Sequence, residues 1–148
     1  MHQILKDFLL PGTPFRGLVL RSEFCWCAYV GVPESHWMAD MHELDFQCHR
    51  GITFNAPGGD GVRPAGWHWY GWDYGHAGDR LLLSDAIKKA LPASLEAFFA
   101  QGKAWTLEEI ELDVIDVAVQ LQAALQKAAE AKQLLQAASQ AGTPRSHR

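Results

Sequence analysis

No stretch of this sequence stays apolar for the roughly 20 residues that a membrane span needs, so no membrane partner is expected. Charge of one sign is also missing. Lys and Arg number 13 against 17 Asp and Glu, a formal net charge of -4. Up to Arg80 there are six basic and nine acidic residues, and after it seven and eight. Neither part is basic enough to coat a phosphate backbone, which counts against nucleic acid as a partner. The acidity is too mild to imitate such a backbone. The first residues, Met1-His2-Gln3-Ile4-Leu5-Lys6-Asp7, lack a basic stretch followed by an apolar run. No signal peptide is expected, and the chain reads as cytoplasmic.

Cysteine is scarce. Cys25, Cys27 and Cys48 are an odd number and lack a C-x-x-C pair, so free thiols are the expectation. Cys25 and Cys27 alternate along an expected strand and should point to opposite faces, a poor disulfide pair. The 13 Gly and 7 Pro follow no period, which excludes collagen-like and low-complexity chains. Gly58-Gly59-Asp60-Gly61 lacks a following Lys-Ser or Lys-Thr and is not a P-loop. No cofactor is implied.

What is present is ordinary globular composition, with 48% apolar and 20% charged residues in a chain of 148. That length fits one domain over residues 1–148, large enough to bury about 68–70% of the unfolded surface. The aromatics are unevenly spread: 11 of 16 lie between Phe24 and Tyr74. The stretch from Ala86 to Ala141 holds 15 alanines and three aromatics. The expected architecture is therefore α+β: a β-rich aromatic half (1–82), a helical half (83–141) and a flexible tail (142–148).

Four strands are expected, over residues 15–20, 23–32, 45–54 and 67–73, in a small antiparallel or mixed sheet. Residues 55–61 read as a Pro- and Gly-punctuated loop. Short helices are expected over 83–90 and 94–100, divided by Pro92. The segment Thr106-Leu107-Glu108-Glu109 fits a capping box and should open a long amphipathic helix ending near Ser139, with Gly142 and Pro144 beyond.

That helix carries a narrow apolar stripe through Leu107, Ile110, Val114, Val117, Leu121, Ala124, Ala128, Ala131 and Leu135. The first part should pack on the chain's own sheet. The Ala-rich remainder outruns a small sheet, so it should project or pair with another chain, including a second copy. Leu121, Leu125 and Leu135 are the candidate partner contacts on it.

Strand alternation suggests a site. If the faces carrying Cys27, His49 and Asp73 coincide, a thiol, an imidazole and a carboxylate meet, with Asp79 a second carboxylate. One reading is a small thiol hydrolase, in which His49 activates Cys27 and Asp73 or Asp79 orients His49. A second is a metal site drawn from His36, His49, Asp73, His76 and Asp79, with His49, His76 and Asp79 at its centre. The third is structural: the histidines satisfy the carboxylates beside a core of Trp26, Trp67, Trp69 and Trp72. His36, His76, Trp69 and Trp72 are also candidate binding residues, since an exposed aromatic run could stack on bases or sugars.

Three blocks carry a family likeness. The run from Cys27 to His36 (CAYVGVPESH), that from His49 to Phe54 (HRGITF) and that from Trp69 to Asp79 (WYGWDYGHAGD), with the helix start from Trp105 to Glu109 (WTLEE), resemble a family of small proteins of tailed phages and prophages. The likeness covers residues 27–116. The chain departs from it at Arg50, where the family has Gly, and at Trp37, where Pro is common. The resemblance carries over no catalytic role. It implies an accessory protein in the host cytoplasm that binds and blocks a host defence complex, such as a CRISPR effector.

Overall fold

Two aromatic strands in the middle of the sheet organise everything around them. The computed structural model describes residues 2–42 and 44–142. It contains β1 (Gln3–Leu9), β2 (Arg16–Arg21), β3 (Trp26–Pro33), β4 (Phe54–Pro57), β5 (Trp67–Asp73), α1 (Asp85–Ala90), α2 (Ala93–Phe99) and α3 (Leu107–Gln140). The strands form one open antiparallel sheet in the order β1-β2-β3-β5-β4. The α+β expectation holds, with five strands instead of four.

Alternation along β3 and β5 gives the sheet two different faces. Val19, Ala28, Val30, Val32, Tyr70 and Trp72 face the main core, which α3 covers with Ile110, Val114, Val117, Ala118 and Leu121. Leu18, Leu20, Tyr29 and Trp69 form a smaller cluster on the other face, with Cys27 and Trp67 packed against it. Helix and sheet meet closely at Gly17, where a Cβ would lie 2.9 Å from Val114 Cγ1 and 2.5 Å from Phe8 Cζ. A side chain there would have to displace the Phe8 ring and the Val114 side chain.

Two sequence expectations fail, for different reasons. β1 escapes the pattern because it is an edge strand with few half-buried residues, and a register shift between Ile4 and Lys6 breaks its alternation. The strand expected over 45–54 does not form. Arg50 and Gly51 take positive φ, 61° and 84°, and the Gly51 N–H donates to the Cys48 carbonyl at 3.2 Å. The chain turns there, and pairing starts only at Phe54, reaching into the expected loop as far as Pro57.

The helices follow their signals. Ser84 Oγ caps α1 by accepting from the Ile87 N–H at 3.2 Å. Thr106 Oγ1 accepts from the Glu109 N–H, and Glu109 Oε1 accepts from the Thr106 N–H, both at 3.2 Å, so the capping box is closed. α3 has 34 residues and spans about 50 Å at 1.5 Å per residue. Among the described residues no helix is long and apolar enough to cross a membrane. The tail expected over 142–148 lies, beyond Gly142, outside the described residues.

Candidate functional site

The turn at Arg50 and Gly51 that replaces the expected strand decides where His49 goes. His49 leaves the sheet and packs its ring on Tyr74, with centroids 4.8 Å apart and planes 8° from parallel. Trp105 contacts both rings, its centroid 4.9 Å from that of His49 at 63° and 4.8 Å from that of Tyr74 at 57°. His49 Nε2 sits 2.9 Å from each oxygen of Asp79. A carboxylate only accepts, so Nε2 carries the proton in this pair. Asp79 also accepts from Trp105 Nε1 at 2.8 Å and from the His76 N–H at 3.1 Å. Burial pushes its carboxyl up, but the hydrogen bonds from His49, Trp105 and the His76 amide prevail and hold it below the ordinary value. Arg50 Nη2 braces the same loop by donating to the Ala77 carbonyl at 2.7 Å.

Tyr74 extends this cluster to α3. Its hydroxyl accepts from Trp72 Nε1 at 3.0 Å and donates to Asp113 Oδ2 at 2.7 Å. Burial, then the bond to Asp113, drives its pKa upward. The rim of the cluster opens on a cavity of about 330 Å³ lined by Gln47, Cys48, His49, Trp105, Asp113 and Asp116. The arrangement can hold an imidazole rigidly in one tautomer. The side chains that pair with or stack on His49 are Asp79, Tyr74, His76 and Trp105, and among the described residues no thiol or aliphatic hydroxyl is hydrogen-bonded to it.

The Cys27–His49–Asp73 arrangement is therefore not formed. Cys27 and Asp73 are register partners on β3 and β5 and belong to the face of the smaller cluster. Tyr74, which carries His49, belongs to the main core on the opposite face. The carboxylate paired with His49 is Asp79, and Asp73 faces His76, with Asp73 Oδ1 3.2 Å from His76 Nδ1. Among the described residues no group of three or more His, Cys, Asp or Glu is placed to hold a metal ion, so His49, His76 and Asp79 are not gathered as ligands.

The other candidates separate cleanly. Trp69 and Trp72 are buried core residues, with Trp69 Nε1 donating to the Pro64 carbonyl at 3.0 Å. They have no free face to stack on a ligand. His36 is occupied by its own turn: Nδ1 accepts from the Met38 N–H at 3.1 Å, and its ring stacks on the exposed Trp37. Leu121 is also core, Leu125 is half-buried against it, and Leu135 is 70% exposed. Leu125 and Trp37 border an open groove with Ala128, Ala129 and Lys132.

Strand alternation also misplaced one thiol. Cys25 precedes β3 and belongs to a turn, in which its N–H donates to Ser22 Oγ at 3.1 Å, so strand alternation does not apply to it. The signal in the sequence was Ser22, whose side chain can close a turn over Cys25. Tyr74, Trp105 and Asp113 gave no such signal, because only the fold brings them to His49. No family model, no curated protein and no solved structure matches the chain.

Proposed function

We propose that this chain is a phage-type accessory protein that acts by binding another protein, with the outer part of α3 as its grip. The target class is a host immune complex such as a CRISPR effector. One observation supports the grip: every residue from 126 to 140 of α3 is exposed, while the same helix is buried at Ile110, Val114, Val117, Ala118 and Leu121. A 15-residue helical extension exposed at every residue gains little stability from tertiary packing, and an outside partner would supply that packing. Leu134 and Leu135 are 72% and 70% exposed on this extension and provide its apolar contacts. The setting in phage defence rests on the resemblance of the three sequence blocks.

The test compares the full chain with one ending after Gln126. Both are immobilised in host lysate, retained proteins are identified by mass spectrometry, and CRISPR interference is read by plasmid survival. The expected result is unchanged thermal unfolding to within about 2 °C, since few contacts are removed, with capture of a defence complex and protection of the plasmid both lost. Capture that survives the truncation overturns the reading. So does a truncated chain that no longer folds, or a full chain that captures only itself.

A further inference from the structure

Two short helices of this fold cover their surroundings incompletely: neither α1 nor α2 has a buried residue. Backbone bonds fix the segment that leads into them. The Arg80 N–H donates to the Lys103 carbonyl at 2.9 Å, the Leu81 N–H to the Phe99 carbonyl at 3.3 Å and the Leu82 N–H to the Phe24 carbonyl at 2.7 Å. Arg80 Nε donates to the Ala100 carbonyl at 2.7 Å and ties down the end of α2. Two cavities border this segment. The first, of about 320 Å³, has Leu82, Leu83 and Ala100 in its wall together with Arg21, Arg80, Lys88 and Glu96. The second, of about 510 Å³, runs along Gly75, Ala77, Phe98 and Gly102. Leu81 and Phe99 line both. Phe98 is 63% exposed, and its ring meets that of Phe99 edge-on at 5.6 Å. No residue of α3 lines either cavity, so this region is separate from the grip proposed above.

We infer that the two cavities together bind a single-chain amphiphile, with its phosphate or carboxylate head among Arg21, Arg80 and Lys88 and its apolar tail along Leu81 and Phe99. The charge of the first cavity sets the head. Its three cations come from the end of β2, from the segment before α1 and from α1 itself, and they stand against one carboxylate, Glu96. Among the described residues none of the three forms an ion pair. An excess of one charge around so small a space raises its potential, and an anion is drawn to it. Arginine suits this role because its planar fork matches the oxygens of phosphate and carboxylate. The second cavity sets the tail, since exposed Phe98 and the shared Leu81 and Phe99 give an alkyl chain apolar surface to cover. A neutral apolar molecule would leave the cations unused. Free phosphate would leave the apolar cavity open.

The experiment titrates the full chain, labelled for amide NMR, with octyl phosphate below its micelle threshold. The expected result is saturable shifts at Arg21, residues 80–83, Lys88 and residues 98–102, with residues 126–140 unmoved. Octanoate should shift the same amides, and the tighter of the two identifies the head group. Octanol and inorganic phosphate should each bind at least about tenfold more weakly. Hexyl phosphate should be weaker on the order of tenfold, from about fourfold for each CH₂ lost. Arg21 and Lys88 are exposed, and Arg21→Ala or Lys88→Ala should weaken octyl phosphate about tenfold without changing octanol. Octanol binding as tightly as octyl phosphate would overturn the inference. So would shifts confined to residues 126–140, or binding seen only with phosphatidylglycerol vesicles. The head and tail requirements are read on the unmodified chain, so a variant that misfolds does not shield the inference.

Discussion

Along residues 107–121, α3 is part of the sheet's core: Ile110, Val114, Val117, Ala118 and Leu121 are buried against β2 and β3. Along residues 126–140 the same unbroken helix has every side chain exposed. The heptad-like stripe does not change in spacing between the two parts; the sheet beneath it simply ends. Among the described residues the last polar tie is Gln120, whose Oε1 accepts from the Gln47 N–H and whose Nε2 donates to the Gln47 carbonyl, both at 2.8 Å. The contrast separates two sources of helix stability. Burial holds the inner part in place. The outer part relies on the helix propensity of its Ala, Leu, Gln and Lys residues and on continuity with an anchored stem.

Substitutions at graded distances from the sheet test that contrast. The largest effect belongs to the inner stripe: Ile110→Ala removes a fully buried side chain and should cost about 3 kcal/mol in urea unfolding. A cost under about 1 kcal/mol would mean that α3 does not seal the core. Next comes the polar anchor beside the stem. Asp79→Asn keeps the shape but weakens the bonds from His49 and Trp105, and should cost about 2 kcal/mol at pH 7. Because the Asp79 carboxyl is held below its ordinary value, its ionised form stabilises the fold. That contribution is complete above the unfolded-chain value of about 3.9 and disappears as pH falls through the lower folded value. The gap between wild type and variant, followed by thermal unfolding across the acid range, should close. A gap that widens on acidification would reverse the assignment.

A smaller effect is expected at the start of the helix. Thr106→Ala opens the capping box and should cost about 1 kcal/mol by denaturant titration. The smallest belongs to the outer part: Leu134→Asp should shift unfolding by less than about 0.5 kcal/mol. The same change should abolish capture of the partner. A loss near that of Ile110→Ala would show that the outer part is held by its own chain.

The legibility of the sequence follows the same division between local and tertiary causes. α3 was readable because its start is encoded in four consecutive residues, Thr106 to Glu109, and its face in a regular period. β5 was readable as residues 67–73 because aromatic residues bounded by Gly66 and Gly75 leave few other options. The segment around His49 was not. It alternates as well as β3 does, but Arg50 occupies a left-handed conformation that no local pattern announces. That one turn moved His49 from the face of Cys27 to the face of Tyr74 and replaced Asp73 by Asp79 as its partner. Cys25 also left the pattern: it sits in a turn closed by Ser22 ahead of β3, not within the strand. Which carboxylate His49 met was decided by that one turn at Arg50.

Hydrogen exchange along α3 in the free chain bears most directly on the division of the helix. Amides over 107–121 should exchange only with global unfolding, and those over 126–140 orders of magnitude faster through local opening. Slow exchange at one uniform rate from Leu107 to Gln140 would contradict the claim that the outer part is left free for a partner.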